Sequence, residues 1–192
     1  MTRSVLFICT GNIARSPMAR ALMQRSLDQA GVAASVESSG TMEWQRPAEP
    51  EAIEAMASMG LDISAHISRP LAAEQIARVD IVIGLAREHV RDAALLCPEC
   101  IPRMFTLKEI VRRSGEVGGP GRGESLESWL GRLTADRTLD SLLGDSTVDD
   151  IVDPIGRPVS EYRTTAAEIS GLVGPLAATI ALLDQAVDRS ND

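Results

Sequence analysis

Val5-Leu6-Phe7-Ile8-Cys9-Thr10-Gly11-Asn12-Ile13-Ala14-Arg15-Ser16-Pro17 decides how this chain folds. Four apolar residues in a row read as a buried strand. From Met18 to about Gln29 the apolar positions Met18, Ala21, Leu22, Met23 and Leu27 recur at helical spacing. A cysteine therefore ends a strand, a short loop turns, and an arginine stands where a helix begins. The start of a helix aims backbone N–H groups and the positive end of its dipole at one spot, which suits an oxyanion. A thiol at such a spot is favoured as thiolate. Arg15 adds a guanidinium fork able to grip the same anion by two bonds. Nucleophile, anion cradle and charge clamp lie within seven residues, from Cys9 to Arg15.

Outward from this stretch, strand-like runs recur at residues 35–39, 80–83 and 101–105. Helix-like runs lie between them at 18–29, 50–59, 72–78 and 88–96, with Gly31 and Gly60 as stops after two of these. Alternation of strand and helix predicts an α/β domain, a parallel sheet covered on both faces. In such sheets ligands bind beyond the carboxyl ends of the strands, where Cys9 falls. A long helix is expected from Ser160 to about Val187, with Gly174-Pro175 bending or splitting it.

With 192 residues, 44% of them apolar and 24% charged, the chain suits a single domain with a sizeable core. A net charge of −8 argues against nucleic-acid or anionic-membrane partners, so any anion site must be local. Three cysteines, an odd number, suit a reducing cytoplasm better than a disulfide framework. The first residues hold no secretory signal, and the expected location is cytoplasmic.

Cys9, Gly11, Asn12, Arg15, Ser16 and Pro17 match the N-terminal loop Cys-x-Gly-Asn-x-Cys-Arg-Ser-Pro of the low-molecular-weight protein tyrosine phosphatases, with Ala14 in place of the second cysteine. Further matches follow: Ser38-Ser39-Gly40-Thr41, the stretch from Gly60 through His66 to Arg69, and Asp153-Pro154 with Gly156. The chain thus resembles the bacterial members of that family over roughly residues 4–110 and 148–185. The resemblance implies a three-layer sandwich around a four-stranded parallel sheet of order 2-1-3-4, with the phosphate loop after strand 1. An insertion is expected at about 112–147. Within it, five glycines and Pro120 make 114–125 read as a flexible loop, and 125–143 as one or two short amphipathic helices.

What the resemblance implies about chemistry falls on named residues. Cys9 would attack phosphorus and carry a phosphocysteine. Arg15 and the N–H groups of Thr10, Gly11, Asn12, Ile13, Ala14, Arg15 and Ser16 would hold the phosphoryl oxygens. Asp153, stiffened by the proline after it, would be general acid and then base. Asp149 and Asp150 are the other acids close by. Asn12, Ser16, Ser38 and His66 would support the loop, His66 as an orienting histidine; His89 reads as an exposed member of a charged helix. No metal or cofactor is expected.

The expected partners are a phosphorylated protein substrate and inorganic phosphate as product. Ile13, Trp44 and Ile155 would wall a pocket for phosphotyrosine, Ile155 replacing an aromatic. The alternative is protein arginine phosphatase, whose members resemble this chain but carry threonine at the position of Ile13. Arsenate reduction, using Cys97 and Cys100 as a redox pair, and a non-catalytic phosphate-binding domain are more remote alternatives.

Overall fold

The computed structural model describes residues 3–138, 144 and 146–188. Its element order is β1 (Arg3–Cys9), α1 (Arg15–Gln29), β2 (Ala34–Gly40), α2 (Pro50–Ala57), α3 (Ala73–Arg78), β3 (Ile81–Gly84), α4 (Arg87–Leu96), β4 (Met104–Thr106), α5 (Leu107–Val117), α6 (Leu126–Thr134) and α7 (Val159–Asp188). The four strands form one parallel sheet of order β2-β1-β3-β4, as the resemblance implied.

β1 is a central strand because it is apolar on both faces. Val5, Phe7 and Cys9 point into one core layer with α1, α6 and α7; Leu6 and Ile8 point into a second with Ile76, Val90 and Ala93 of α3 and α4. Each such side chain, fully buried, contributes about 1.5–3 kcal/mol. A strand buried on both faces has no polar alternation, and the sequence shows none here. The first layer is the larger, and α7 forms much of it. Tyr162, Ala166, Ile169, Val173, Leu176, Ala177, Ile180 and Leu183 recur at three- and four-residue steps and are all buried. By length and composition α7 could cross a membrane, but this apolar stripe packs on α1, α2 and α5.

Gly31 and Gly60 both have positive φ, 71° and 73°, and end their helices as expected. Elsewhere the boundaries move. α1 begins at Arg15, three residues earlier than the apolar spacing suggested, because Arg15, Ser16 and Pro17 already take helical geometry. The fourth strand is Met104–Thr106, since Pro98–Arg103 coils into a 3₁₀ turn first. Gly174-Pro175 does not split α7.

The first third of the expected glycine-rich loop at 114–125 is helix instead. α5 runs to Val117, started by a capping box in which Thr106 and Glu109 satisfy each other's backbone N–H groups. Arg132 holds the remaining loop, donating to the carbonyls of Val117 (2.9 Å) and Gly119 (3.0 Å) and pairing with Glu124 at 2.8 Å. Of the amphipathic segment 125–143, α6 forms and buries Leu126, Trp129, Leu130 and Leu133; positions 139–143 lie outside the described residues. A disulfide joins Cys97 to Cys100, against the expectation from cysteine count. Both sulfurs lie in the core layer of Leu6 and Ile8, on the other face of the sheet from Cys9, the free cysteine.

Candidate active site

Cys9 closes β1 opposite Gly40 of β2, and the chain turns at once into the loop 10–14. The tightest point is Asn12, with φ 51°, the one non-glycine residue of positive φ among those described. Asparagine tolerates that geometry better than most residues, and its side chain offsets the strain. Asn12 Nδ2 donates to Ser16 Oγ (2.9 Å) and Ser38 Oγ (3.0 Å), and Oδ1 accepts from the Arg69 N–H (3.0 Å). His66 Nε2 donates to the Asn12 carbonyl at 2.7 Å. Burial, aided by the Arg20 and Arg69 charges and opposed by that bond, holds the His66 imidazole below its ordinary value. It acts as a neutral donor. Asn12, Ser16, Ser38 and His66, four residues separated in sequence, thus meet in one network around the loop.

The network sets the sulfur. Cys9 Sγ lies 3.0 Å from Ser16 Oγ and accepts from the Asn12 N–H at 3.3 Å. Ser16 Oγ accepts from Asn12, and its one proton has two acceptors in reach, the Cys9 sulfur and the farther Ser39 carbonyl at 3.4 Å, so a thiolate can draw it. α1 starts immediately beyond, with Ala14 at its N-cap and no side chain capping the first turn. The amide end of the helix therefore faces the loop without an internal anion.

Arg15, 4% exposed, reaches back across the loop. One guanidinium nitrogen donates to the Ile151 carbonyl at 3.2 Å; the other donates to Thr10 Oγ1 at 3.2 Å and to Asp153 Oδ2 at 2.6 Å. Asp153 Oδ1 accepts from the Ile155 N–H (3.1 Å), which fixes the carboxylate over the loop. The other acids are engaged elsewhere. Asp149 pairs with Arg87 (2.7 Å) and Arg112 (3.4 Å), which hold its carboxyl below the usual range despite burial. Asp150 accepts from the backbone N–H groups of Arg87 and Ser146.

A sequence profile for low molecular weight phosphotyrosine protein phosphatase matches residues 4–129. The chain belongs to that family. Among relatives of this phosphatase, the protein-arginine-phosphatase of Bacillus subtilis is 28% identical over 174 residues, 90% of this chain and 93% of that one. The probable low molecular weight protein-tyrosine-phosphatase EpsP of Ralstonia nicotianae is 40% identical over 110 residues, 57% of this chain and 74% of that one. Two solved structures share the fold. A YwlE mutant from Bacillus subtilis has a TM-score of 0.71 and 26% identity, covering 93% of this chain and 99% of its own. A low molecular weight protein tyrosine phosphatase from T. tengcongensis has a TM-score of 0.69 and 30% identity, covering 91% and 97%.

The phosphatase's loop floors a cavity of about 270 Å³ lined by Cys9, Thr10, Gly11, Ile13, Ala14 and Arg15 below, and by Trp44, Arg46, Glu49, Asp153 and Ile155 around the mouth. Ile13, Trp44 and Ile155, the expected walls, are all present. Trp44 lies so close on the loop that a Cβ at Gly11 would stand 2.7 Å from its ring. Arg46 stacks over Trp44 at 5.1 Å from the ring centre and reaches Glu49 at 3.5 Å.

Sequence reading missed Arg46 and Glu49, and it misplaced His89. That histidine is buried, not exposed, with Nε2 at 3.0 Å from Thr10 Oγ1. Burial first, then the Arg15 and Arg91 charges, push its imidazole down to about 3. Its spacing did carry the signal: Ala86, His89, Val90 and Ala93 form one helical face, and all are buried.

Proposed function

We infer that the protein hydrolyses phosphotyrosine in proteins through a phosphocysteine. One observation carries the reading: Cys9 Sγ, the Arg15 guanidinium and the Asp153 carboxyl line a single cavity, with the sulfur held by Ser16 and the Asn12 amide. In the first step the Cys9 thiolate attacks phosphorus in line. The P–S bond forms as the P–O bond to tyrosine breaks, and Asp153 gives its proton to the departing oxygen. Arg15 and the loop amides hold the three equatorial oxygens, whose charge they meet with fixed dipoles. Water then attacks phosphorus, Asp153 accepts its proton, and the thiolate leaves with inorganic phosphate as product.

Tyrosine is favoured by the walls. Ile13 is 3% exposed and aliphatic, Trp44 is aromatic, and a ring can lie between them and Ile155. Phosphoserine is too short to bring its phosphorus to the floor of such a cavity. A second reading, phosphoarginine, has its own observation: the Glu49 carboxylate stands at the same mouth, where it can pair with a guanidinium. The arginine phosphatase of Bacillus subtilis also matches this chain along 90% of its length. Matched peptides bearing either residue separate the two. The expected outcome is a higher kcat/KM on phosphotyrosine, with neither peptide cleaved by Cys9→Ser. A clear preference for phosphoarginine, or its loss on Glu49→Gln, establishes the second reading.

A further inference from the structure

Thr10 lines the floor of the cavity, and its hydroxyl oxygen has two neighbours that compete for one proton and two lone pairs. Arg15 donates to it at 3.2 Å, which takes one lone pair. His89 Nε2, at 3.0 Å, is either a second donor or the acceptor of the threonine proton. The histidine's surroundings decide between these. Its other nitrogen, Nδ1, is buried with no hydrogen-bond partner among the described residues. Were the proton on Nδ1, a buried N–H would go unpaired, and orphaned donors of that kind are rare. With the proton on Nε2, the unpaired atom is a lone pair, which is better tolerated. Glu88 Oε1, 3.3 Å from Nε2, also favours the proton there, but Thr10 Oγ1 is nearer at 3.0 Å and is the hydrogen-bond partner. The imidazole is therefore the Nε2–H tautomer and donates to Thr10. Both lone pairs of the Thr10 oxygen are then filled, by Arg15 and by His89. Its proton is the one remaining hydrogen-bonding capacity of that hydroxyl.

We propose that His89 is a positioning residue that turns the Thr10 hydroxyl into a dedicated donor to a phosphoryl oxygen in the Cys9 loop. The proposal rests on the phosphatase reading for its substrate and on the Arg15–Thr10–His89 chain, in which a half-buried threonine sits between two buried side chains, for its geometry. The hydroxyl could otherwise rotate and accept from substrate or water; with both lone pairs occupied by fixed donors, it can only give. A donor held this way pays no reorganisation when charge develops on the equatorial oxygens, so its effect is larger in the transition state than in the ground state. Thr10 touches the substrate, while His89 acts through Thr10 and touches nothing that reacts.

The test compares four variants: Thr10→Val, His89→Leu, their double mutant and His89→Gln. Two readouts serve: turnover of para-nitrophenyl phosphate, and affinity for orthovanadate, which mimics five-coordinate phosphorus. Thr10→Val keeps the shape and removes the hydroxyl. It is expected to lower kcat and vanadate affinity by about 10–100-fold, less than the ~10²–10³ of a principal oxyanion donor, with KM moving less than about threefold. His89→Leu is expected to lose a smaller factor of the same kind. The double mutant should be no worse than Thr10→Val, because the histidine acts only through the hydroxyl. His89→Gln places an amide N–H near the same point and should stay within about threefold of wild type. Additive losses, a change confined to KM, or a His89→Gln as impaired as Thr10→Val overturns the proposal. If His89→Leu fails to fold, His89→Gln and Thr10→Val still decide it. If the wild type hydrolyses no phosphate ester, the phosphatase reading falls, while the vanadate titrations still measure the hydroxyl.

Discussion

Gly40 is the register partner of Cys9, and a Cβ built on it would stand 2.7 Å from the Thr10 carbonyl oxygen and 3.0 Å from Asn12. Neither neighbour can yield without moving the loop that holds the sulfur. Gly40→Ala is therefore expected to reduce turnover at least tenfold while the folded state persists, checked by steady-state kinetics beside circular dichroism. At Asp153 the prediction concerns the leaving group. Asp153→Asn should slow aryl phosphates of high leaving-group pKa by about 10²–10⁴-fold, and para-nitrophenyl phosphate much less. The slope of log rate against leaving-group pKa measures this; an unchanged slope moves the acid elsewhere. That Cys9, Arg15 and Asp153 share one cavity was legible because they stand in a contiguous motif or beside a proline. His89 was not, since its neighbours Arg87 and Glu88 are charged and made the segment look solvated. Glu49 and Arg46 reach the cavity through a loop, where no periodicity says which way a side chain points.

Helices and strands show the same division between what local patterns carry and what packing decides. The apolar run of β1 and the stripe of α7 follow from hydrophobic period alone. The start of α5 is also a local pattern, Thr106-x-x-Glu109, whose side chains form the capping box, while its run through Gly115 to Val117 goes against the composition there. The amphipathic spacing over 125–143 marks Trp129 as a residue that covers the core or a neighbouring subunit; packing decides that it fills the first core layer, where it is fully buried. Trp129→Ala should destabilise the fold by about 3–5 kcal/mol, the usual range for a large aromatic replaced in a core. The Trp129 indole N–H has no hydrogen-bond partner among the described residues, so Trp129→Phe, which removes that donor and keeps a ring, should cost much less. Urea denaturation midpoints at constant slope distinguish the two variants.

Across the whole molecule, the buried histidines tie stability to pH. His89 titrates near 6.5 when unfolded and near 3 in the fold, so between those values the unfolded chain binds the additional proton. Stability from this group is thus complete above about 6.5 and declines as pH falls, at about 1.4 kcal/mol per unit. His66, held low by burial, acts in the same direction. The expected result is a marked drop in the urea midpoint from pH 7.5 to pH 5, flattened in His89→Gln. The ion pair between Arg15 and Asp153 joins positions 138 residues apart and spends, on the protein's own carboxylate, a guanidinium nitrogen that a phosphoryl oxygen also wants. Asp153 is in effect a tethered product analogue, a built-in competitor whose local concentration never falls. In the proposed mechanism an oxyanion that takes this nitrogen evicts the carboxylate, which is released toward the leaving group only when the cradle is filled. Removing the competitor should tighten what it slows: Asp153→Ala is expected to bind inorganic phosphate several-fold more strongly than wild type, by calorimetry, while turning substrate over more slowly.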